Sequence, residues 1–449
     1  MAKPKPKPAA ARRPTRITLR SYDVGFGDCY LLSFHYPKFD RHLLIDFGST
    51  RLPEGKAVKK NYMTQVAQQI AEDCGGKLHA VIATHRHKDH ISGFTPNATG
   101  DGPGDIIRSL KPNVVIQPWT EDPQAESDAR KPTQRLSARQ QRRALHASML
   151  SDMNAFAGHV KVAATQLRGN HLKAAREQLM FLGDDNELKN QAAVKNLMTM
   201  GRTRYVYFGA KSGLEALLPG VSTQVLGPPT LEQDARIEKQ RSRDPNEFWQ
   251  LQAARQSFWA KRGRLAKLDE EAPQPLFPDH VVPRPSWDMR WYRYQAQQEH
   301  AENLLSIVRI LDKAMNNTSV ILLFEVGNKS LLFPGDAQYE NWMHALEKPE
   351  IVERLAKVNV YKVGHHGSLN ATPKSLWDRF EYKGGARTQG RLMSFLSTKD
   401  DVHGHAKDKT EVPRHTLVKA LAKDSHLHDT RNVASDVLCI TTDIEIDWS

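Results

Sequence analysis

Four side chains able to bind a metal ion fall within six residues of the chain. They are His85, His87, Asp89 and His90, in the run Thr84-His85-Arg86-His87-Lys88-Asp89-His90. Imidazole nitrogen and carboxylate oxygen suit zinc, manganese, iron or nickel. The run follows Ala80-Val81-Ile82-Ala83-Thr84, whose apolar β-branched residues read as a buried strand. In an extended segment leaving that strand, positions i and i+2 face the same way, so His85 and His87 can grip one ion. Asp89 and His90 fall on the following turn, where they can grip a second. Two divalent ions about 3.5–4 Å apart can share a water, lower its pKa towards neutrality and stabilise charge on an attacked oxygen. The chemistry expected is metal-assisted hydrolysis.

Such a site needs elements that end together. Strand patterns cover Ile17 to Val24, Cys29 to Tyr36 and His42 to Phe47. A helical pattern runs from Asn61 to Asp73 and stops at Gly75-Gly76, and Val114-Val115-Ile116 is a further strand. Later strands are expected at Arg204 to Phe208, Thr223 to Leu226, Val358 to Val363, Leu392 to Leu396 and Val437 to Thr441. A hairpin of Val320 to Val326 with Ser330 to Phe333 turns at Gly327-Asn328. Charged, Ala- and Gln-rich stretches at about 121–200 and 231–300 read as helical insertions, and a helix is expected near Ala301 to Ala314. Strands and helices in this order predict a layered α/β domain over 17–449.

The chain has 449 residues, 39% hydrophobic and 26% charged, which describes a folded protein. Its apolar runs are of strand length and fall short of the roughly 20 residues that cross a bilayer. The first residues have no apolar core of the secretory kind. Cys29, Cys74 and Cys439 are too scattered for a disulfide framework. The expectation is a cytoplasmic protein with no membrane partner. Net charge is +13, and residues 1–20 carry seven Lys or Arg and no acid. Residues 1–16 therefore read as an extended basic arm, able to attract a polyanion such as nucleic acid or serving only solubility.

The His-x-His-x-Asp-His run resembles the signature of the metallo-β-lactamase superfamily, and further elements follow in the superfamily's chain order. Ile45-Asp46-Phe47-Gly48 resembles the early strand-end aspartate that supports the metal loop. Pro334-Gly335-Asp336 resembles the aspartate that bridges two metals. Val363-Gly364-His365-His366-Gly367-Ser368 resembles the late strand end whose histidine binds the second metal. The resemblance implies a four-layer αββα sandwich and two divalent ions, zinc or manganese, held by His85, His87, Asp89, His90, Asp336 and His365. One departure matters. Many members carry a further histidine before the strand at Val320, where this chain reads Asn316-Asn317-Thr318-Ser319. In this it is similar to the branch that includes the soluble hydrolase domain of bacterial competence DNA-uptake channels. That branch also carries a Val-Gly-x-Gly-Asp opening, here Val24-Gly25-Phe26-Gly27-Asp28. The similarity covers about 17–100, 204–230 and 316–445, and the channel itself is absent. The first ion is then left with His85, His87, Asp336 and water. Asn317 lends its side-chain carbonyl oxygen, orients a water, or is a turn residue at the start of the strand.

Asp89 and the proton donors His366 and His405 are the candidates for catalysis. Val402-His403-Gly404-His405 competes with Pro413-Arg414-His415 for the late-histidine position that the resemblance implies. The basic arm and the resembled branch favour a phosphodiester substrate, hence a nuclease. Trp249, Phe258 and Trp259 in the second insertion could stack on single-stranded bases or form the buried face of a helix. Two other functions fit the same residues. One is a hydrolase of a small molecule: a phosphodiester headgroup, a lactone or a nucleotide signal. The other is an effector subunit of a multi-protein bacterial defence system, whose helical insertions bind protein partners.

Overall fold

A computed structural model of the chain describes residues 13–54, 61–122, 191–230, 232–234, 236, 316–368, 372–402, 411–434 and 437–448. A few single positions in 172–179 and 294–298 are also described. By its internal contacts the chain divides into one unit of residues 1–136, 190–238 and 315–449 and another of 137–189 and 239–314. Most of the arm, most of both insertions, the expected helix at 301–314, Trp249, Phe258, Trp259, His403 and His405 lie outside the described residues.

The first unit opens with strands β1 (Arg16–Tyr22), β2 (Cys29–Tyr36) and β3 (Phe39–Phe47). Helix α1 (Tyr62–Asp73) then crosses to β4 (Ala80–Ile82). Short helices α2 (Lys88–Ile91) and α3 (Pro103–Ser109) precede β5 (Val114–Pro118), and α4 (Gln191–Thr199) precedes β6 (Arg202–Val206). The chain continues through β7 (Ser222–Gly227), the hairpin β8 (Ile321–Val326) and β9 (Lys329–Phe333), α5 (Tyr339–Leu346), α6 (Pro349–Ala356) and β10 (Val360–Lys362). It ends with α7 (Lys374–Trp377), β11 (Met393–Leu396), α8 (His415–Asp424), β12 (His426–Asp429) and β13 (Cys439–Glu445).

The strands form two mixed sheets. One has seven strands in the order β13-β1-β2-β3-β4-β5-β6, antiparallel as far as β3 and parallel from β3 to β6. The other has six in the order β12-β11-β10-β9-β8-β7, parallel from β12 to β9 and antiparallel from β9 to β7. The period-2 alternation of side chains explains the packing. Leu32, Leu43, Ile45 and Ile82 of the first sheet share one buried cluster with Leu322, Phe324, Leu331 and Phe333 of the second. Leu31, Leu44 and Val81, one residue out of phase, pack with Val66 and Ile70 of α1, Ile107 of α3 and Leu197 of α4. On the second sheet Leu323, Leu332 and Tyr361 do the same with Trp342 of α5, Leu355 of α6, Leu376 of α7 and Leu421 of α8. The protein is thus a mixed α/β structure. No helix among the described residues is long and apolar enough to cross a membrane.

One histidine pair gives the fold a pH dependence separate from the chemistry. The His42 amide donates to His79 Nδ1 at 3.1 Å, and the His79 amide donates to His42 O at 2.8 Å. Burial, reinforced for His79 by the charge of Arg41, lowers both rings to about 4. The unfolded chain therefore takes up protons first as pH falls. Stability is complete above about pH 6.5 and declines as pH falls from there towards 4, by on the order of 1–2 kcal/mol for the pair after solvent screening. Urea midpoints of metal-free protein at pH 7 and pH 5 should differ by less in His79→Asn than in the unaltered chain. An equal difference rules this account out.

Candidate metal centre

The parallel strands carry their chemistry at their C-terminal ends, where an open α/β sheet leaves room for a ligand. Asp46 stands near the end of β3. Its Oδ1 accepts the Thr84 amide at 2.8 Å, and its Oδ2 accepts Thr84 Oγ1 at 2.7 Å and His90 Nδ1 at 2.8 Å. One carboxylate therefore ties down both ends of the histidine run, at a left-handed φ of 56°. Close backbone packing holds the run from the other side. A Cβ on Gly48 would lie 2.5 Å from Asp89 C and His90 N, and one on Gly27 would lie 2.8 Å from Asp89 O. The Asp28 amide donates to Asp89 O at 2.9 Å. The Val-Gly-x-Gly-Asp segment thus serves as a bed for the ligand loop. Arg86 secures the loop's outer side through an ion pair of 2.5 Å to Glu121.

Asp89, His90, Asp336 and His366 each offer a ligand atom within 4.8 Å of the other three. None is more than 3% exposed. His90 Nε2 lies 3.0 Å from Asp336 Oδ2 and 3.9 Å from Asp89 Oδ1. His366 Nε2 lies 2.8 Å from Asp89 Oδ2 and 3.7 Å from Asp336 Oδ2. Bonds of about 2.1 Å to a tetrahedral ion require ligand separations of about 3.4 Å, in the middle of this range. The tautomers suit a cation too. His90 Nδ1 faces Asp46, and His366 Nδ1 donates to Ser397 O at 3.0 Å, so both Nε2 atoms face the group. Asp89 Oδ1, His90 Nε2 and Asp336 Oδ2 are buried with no aligned hydrogen bond. These observations fit a metal ion held by four ligands.

Electrostatics agree. Burial alone would lower His90 and His366. Asp336 and Asp46 outweigh it for His90, as Asp336 and Asp28 do for His366, and both rings sit above their ordinary values. Burial alone would raise Asp89 and Asp336. The charge of His90 outweighs it for both, helped by His366 for Asp89 and by Lys362 for Asp336, and both carboxyls stay below the usual range. A cation at this group would compete with the protons that these carboxylates favour on the two rings.

His85 and His87 adjoin this group as an incomplete one. His85 Nε2 and His87 Nδ1 are 2.9 Å apart. Burial, with His90 and His87 nearby, keeps His85 neutral. Among the described residues no third His, Cys, Asp or Glu joins the pair within the ligand distance. Asn317 stands just before β8 and is 1% exposed. Its Nδ2 donates to Glu340 at 3.3 Å, while its Oδ1 is buried without a partner.

Two expectations change. The late histidine in the group that could hold an ion is His366, and His365 lies outside that group: its side chain is 23% exposed, with Nε2 4.0 Å from Asp336 Oδ2. The reason is backbone geometry. His365 and His366 both have left-handed φ, 43° and 51°, so the chain turns and the second ring enters the centre. His366, expected as a proton donor, has both ring nitrogens engaged inside the group, Nδ1 on Ser397 O and Nε2 on Asp89 Oδ2. His415, at the start of α8, is 63% exposed and pairs with Glu411, away from the group. Lys362 is a site residue that the motifs did not single out, and Asp28, the last residue of the Val-Gly-x-Gly-Asp opening, had been given no role; the two meet as an ion pair. The available signal was a lysine inside the apolar run Val360-Tyr361-Lys362-Val363, where a buried charge needs a partner. No protein-family model matches the chain and no curated protein is detectably similar to it.

Proposed function

We propose that the protein is a metal-dependent hydrolase of the metallo-β-lactamase kind and that its substrate is a phosphodiester, most simply a nucleic acid. In this reading the two sheets and the helices on their outer faces are the four-layer αββα sandwich. The single observation that carries the hydrolase reading is the buried Asp89, His90, Asp336 and His366 group, with polar atoms converging where strands of both sheets end. Zinc or manganese is the metal, with His85 and His87 as the second position. A divalent ion supplies a water of lowered pKa and positive charge facing the attacked oxygen.

The chain's own residues do the rest. Asp46 and Ser397 hold the ligand rings in the tautomer that offers Nε2. Phe26 packs against His366 at 4.5 Å between ring centroids and shields it from solvent. His365, partly exposed beside Asp336, is placed to give a proton to the leaving oxygen. The seven cations of the first 20 residues favour a polyanion.

The test uses full-length protein with Mn²⁺ or Zn²⁺, single- and double-stranded DNA and RNA, and an activated small phosphodiester. Cleavage of the polymers is expected, weakening steeply with salt. Removal of residues 1–12 should slow polymer cleavage at low salt and leave the small diester untouched. Metal-loaded protein that cleaves none of these substrates sinks the phosphodiester reading.

A further inference from the structure

One cation of the centre takes no part in the chemistry above. Lys362 ends β10 and is 2% exposed. Its ammonium is in ion-pair contact with Asp28 Oδ2, donates to Gly335 O at 3.1 Å and to Asp336 Oδ1 at 3.4 Å. An ammonium has three N–H donors, and these three acceptors use them all. Lys362 therefore has no hydrogen left for a substrate and acts only through its neighbours. Asp336 Oδ1 also accepts the His365 amide at 3.1 Å, which engages both of its lone pairs. Oδ2 alone remains for a metal, and it lies beside His90 Nε2 and His366 Nε2, within the four-ligand group.

We propose that Lys362 is a built-in cation of the metal centre: by holding Asp28 and one oxygen of Asp336 it makes Asp336 a one-sided ligand, so that one divalent ion binds tightly at Asp89, His90, Asp336 and His366 and a second binds only weakly at His85 and His87. The inference rests on the metal-centre reading above. Its logic is charge and ligand count. Asp28, Asp46, Asp89 and Asp336 are four carboxylates buried close together, and such a cluster needs compensation. In a centre with two full ligand sets a second divalent ion provides it. Here a lysine does so permanently, and the His85–His87 pair keeps two nitrogens without a third ligand among the described residues. Lys362 is a positioning residue: it sets which oxygen of Asp336 faces the metal and how many ions the centre retains.

Metal counting tests this without any hydrolysis assay. Chelator-stripped full-length protein is titrated with Zn²⁺ against a chromophoric competitor, and the bound equivalents are checked by elemental analysis. One tight equivalent is expected, with a second weaker by more than about 100-fold, because the loss of a supporting hydrogen bond alone costs about 10–100-fold. Lys362→Met keeps the length and removes the charge, releasing Asp28 and Asp336 Oδ1. The second ion should then come within about tenfold of the first. Asp28→Asn leaves Asp336 as the lysine's one charged partner beside the Gly335 carbonyl and should weaken the first ion by about tenfold at an unchanged count of one; it serves should the methionine variant not fold. Two equally tight equivalents in the unaltered protein, or variants with unaltered affinities, overturn the proposal and leave the metal centre standing. No zinc bound at all overturns both.

Discussion

Asp89→Ala should lose the tight metal ion and hydrolysis together while keeping its fold. In the proposed centre Asp89 is one of four ligands, and its Oδ1 is buried without a hydrogen-bond partner while Oδ2 meets His366 at 2.8 Å. Alanine removes both oxygens and one of the negative charges that attract the cation. What Asp89 does for the fold runs through its backbone, whose carbonyl accepts the Asp28 amide, and alanine keeps that bond. Metal affinity should fall by more than about 100-fold, beyond the loss of a supporting residue. Hydrolysis should fall by on the order of 1,000-fold or more, about 4 kcal/mol of barrier. Thermal unfolding separates the two effects. A metal ion at about 100 times its Kd stabilises the native state by about 2.7 kcal/mol. The unaltered protein should show that rise on adding Mn²⁺ or Zn²⁺, and Asp89→Ala should not, with closely similar melting temperatures when both are metal-free. A variant that keeps the metal-induced rise would remove Asp89 from the ligand set.

Why the sequence placed Asp89 in the buried group, and marked His365 for it in place of His366, is a matter of backbone. Thr84 to His90 follows a strand whose end is marked by an apolar run, and each ligand there belongs to a regular local geometry: extended for His85 and His87, a first helical turn for Asp89 and His90. Asp336 is equally plain, at the Pro-Gly turn that ends β9. His365 and His366 are adjacent, chemically identical and both in a left-handed conformation that L-residues seldom adopt. Spacing holds no clue to which ring goes inward, since the two-residue turn that decides it is imposed by Asp336 accepting the His365 amide and Ser397 accepting the His366 ring. Those partners are distant in sequence.

The same distinction runs through the fold. Strands β2, β5 and β8 lie where apolar alternation put them, and the β8–β9 hairpin turns at Gly327-Asn328. Strand β12 was invisible because His426-Leu427-His428 looks like a charged loop. In the structure His428 stacks on Phe395 with ring centroids 4.4 Å apart, so an edge strand uses imidazole as its apolar surface. Lys362 was half legible: a lysine inside an apolar strand marks a buried charge, but only its tertiary partners Asp28, Gly335 and Asp336 show what that charge does. Residues that act through local geometry were legible, whereas those that act by facing a distant partner were not.

Asp46→Asn should separate metal binding from the ligands themselves. The substitution preserves volume and touches no ligand atom, but it replaces one acceptor oxygen with an NH₂ group. Asp46 uses both oxygens: one takes the Thr84 amide, the other takes Thr84 Oγ1 and the His90 Nδ1 proton. In either orientation asparagine leaves a donor facing a donor. If the NH₂ faces the Thr84 amide, the loop loses its anchor after β4. If it faces His90, the ring avoids the clash by moving its proton to Nε2, the nitrogen that must be bare to bind a cation. All these groups are at most 2% exposed, so water cannot repair the mismatch. The unpaired donor should cost about 1–3 kcal/mol of stability, and Zn²⁺ affinity should fall about 10–100-fold. Asp46→Ala, which opens a small cavity that water can enter, should harm stability more and the His90 tautomer less. Zinc competition and urea unfolding on the three proteins decide the matter. If Asp46→Asn binds zinc as tightly as the unaltered chain, His90 does not ligate through Nε2, and the four-ligand centre must be redrawn around Asp89, Asp336 and His366.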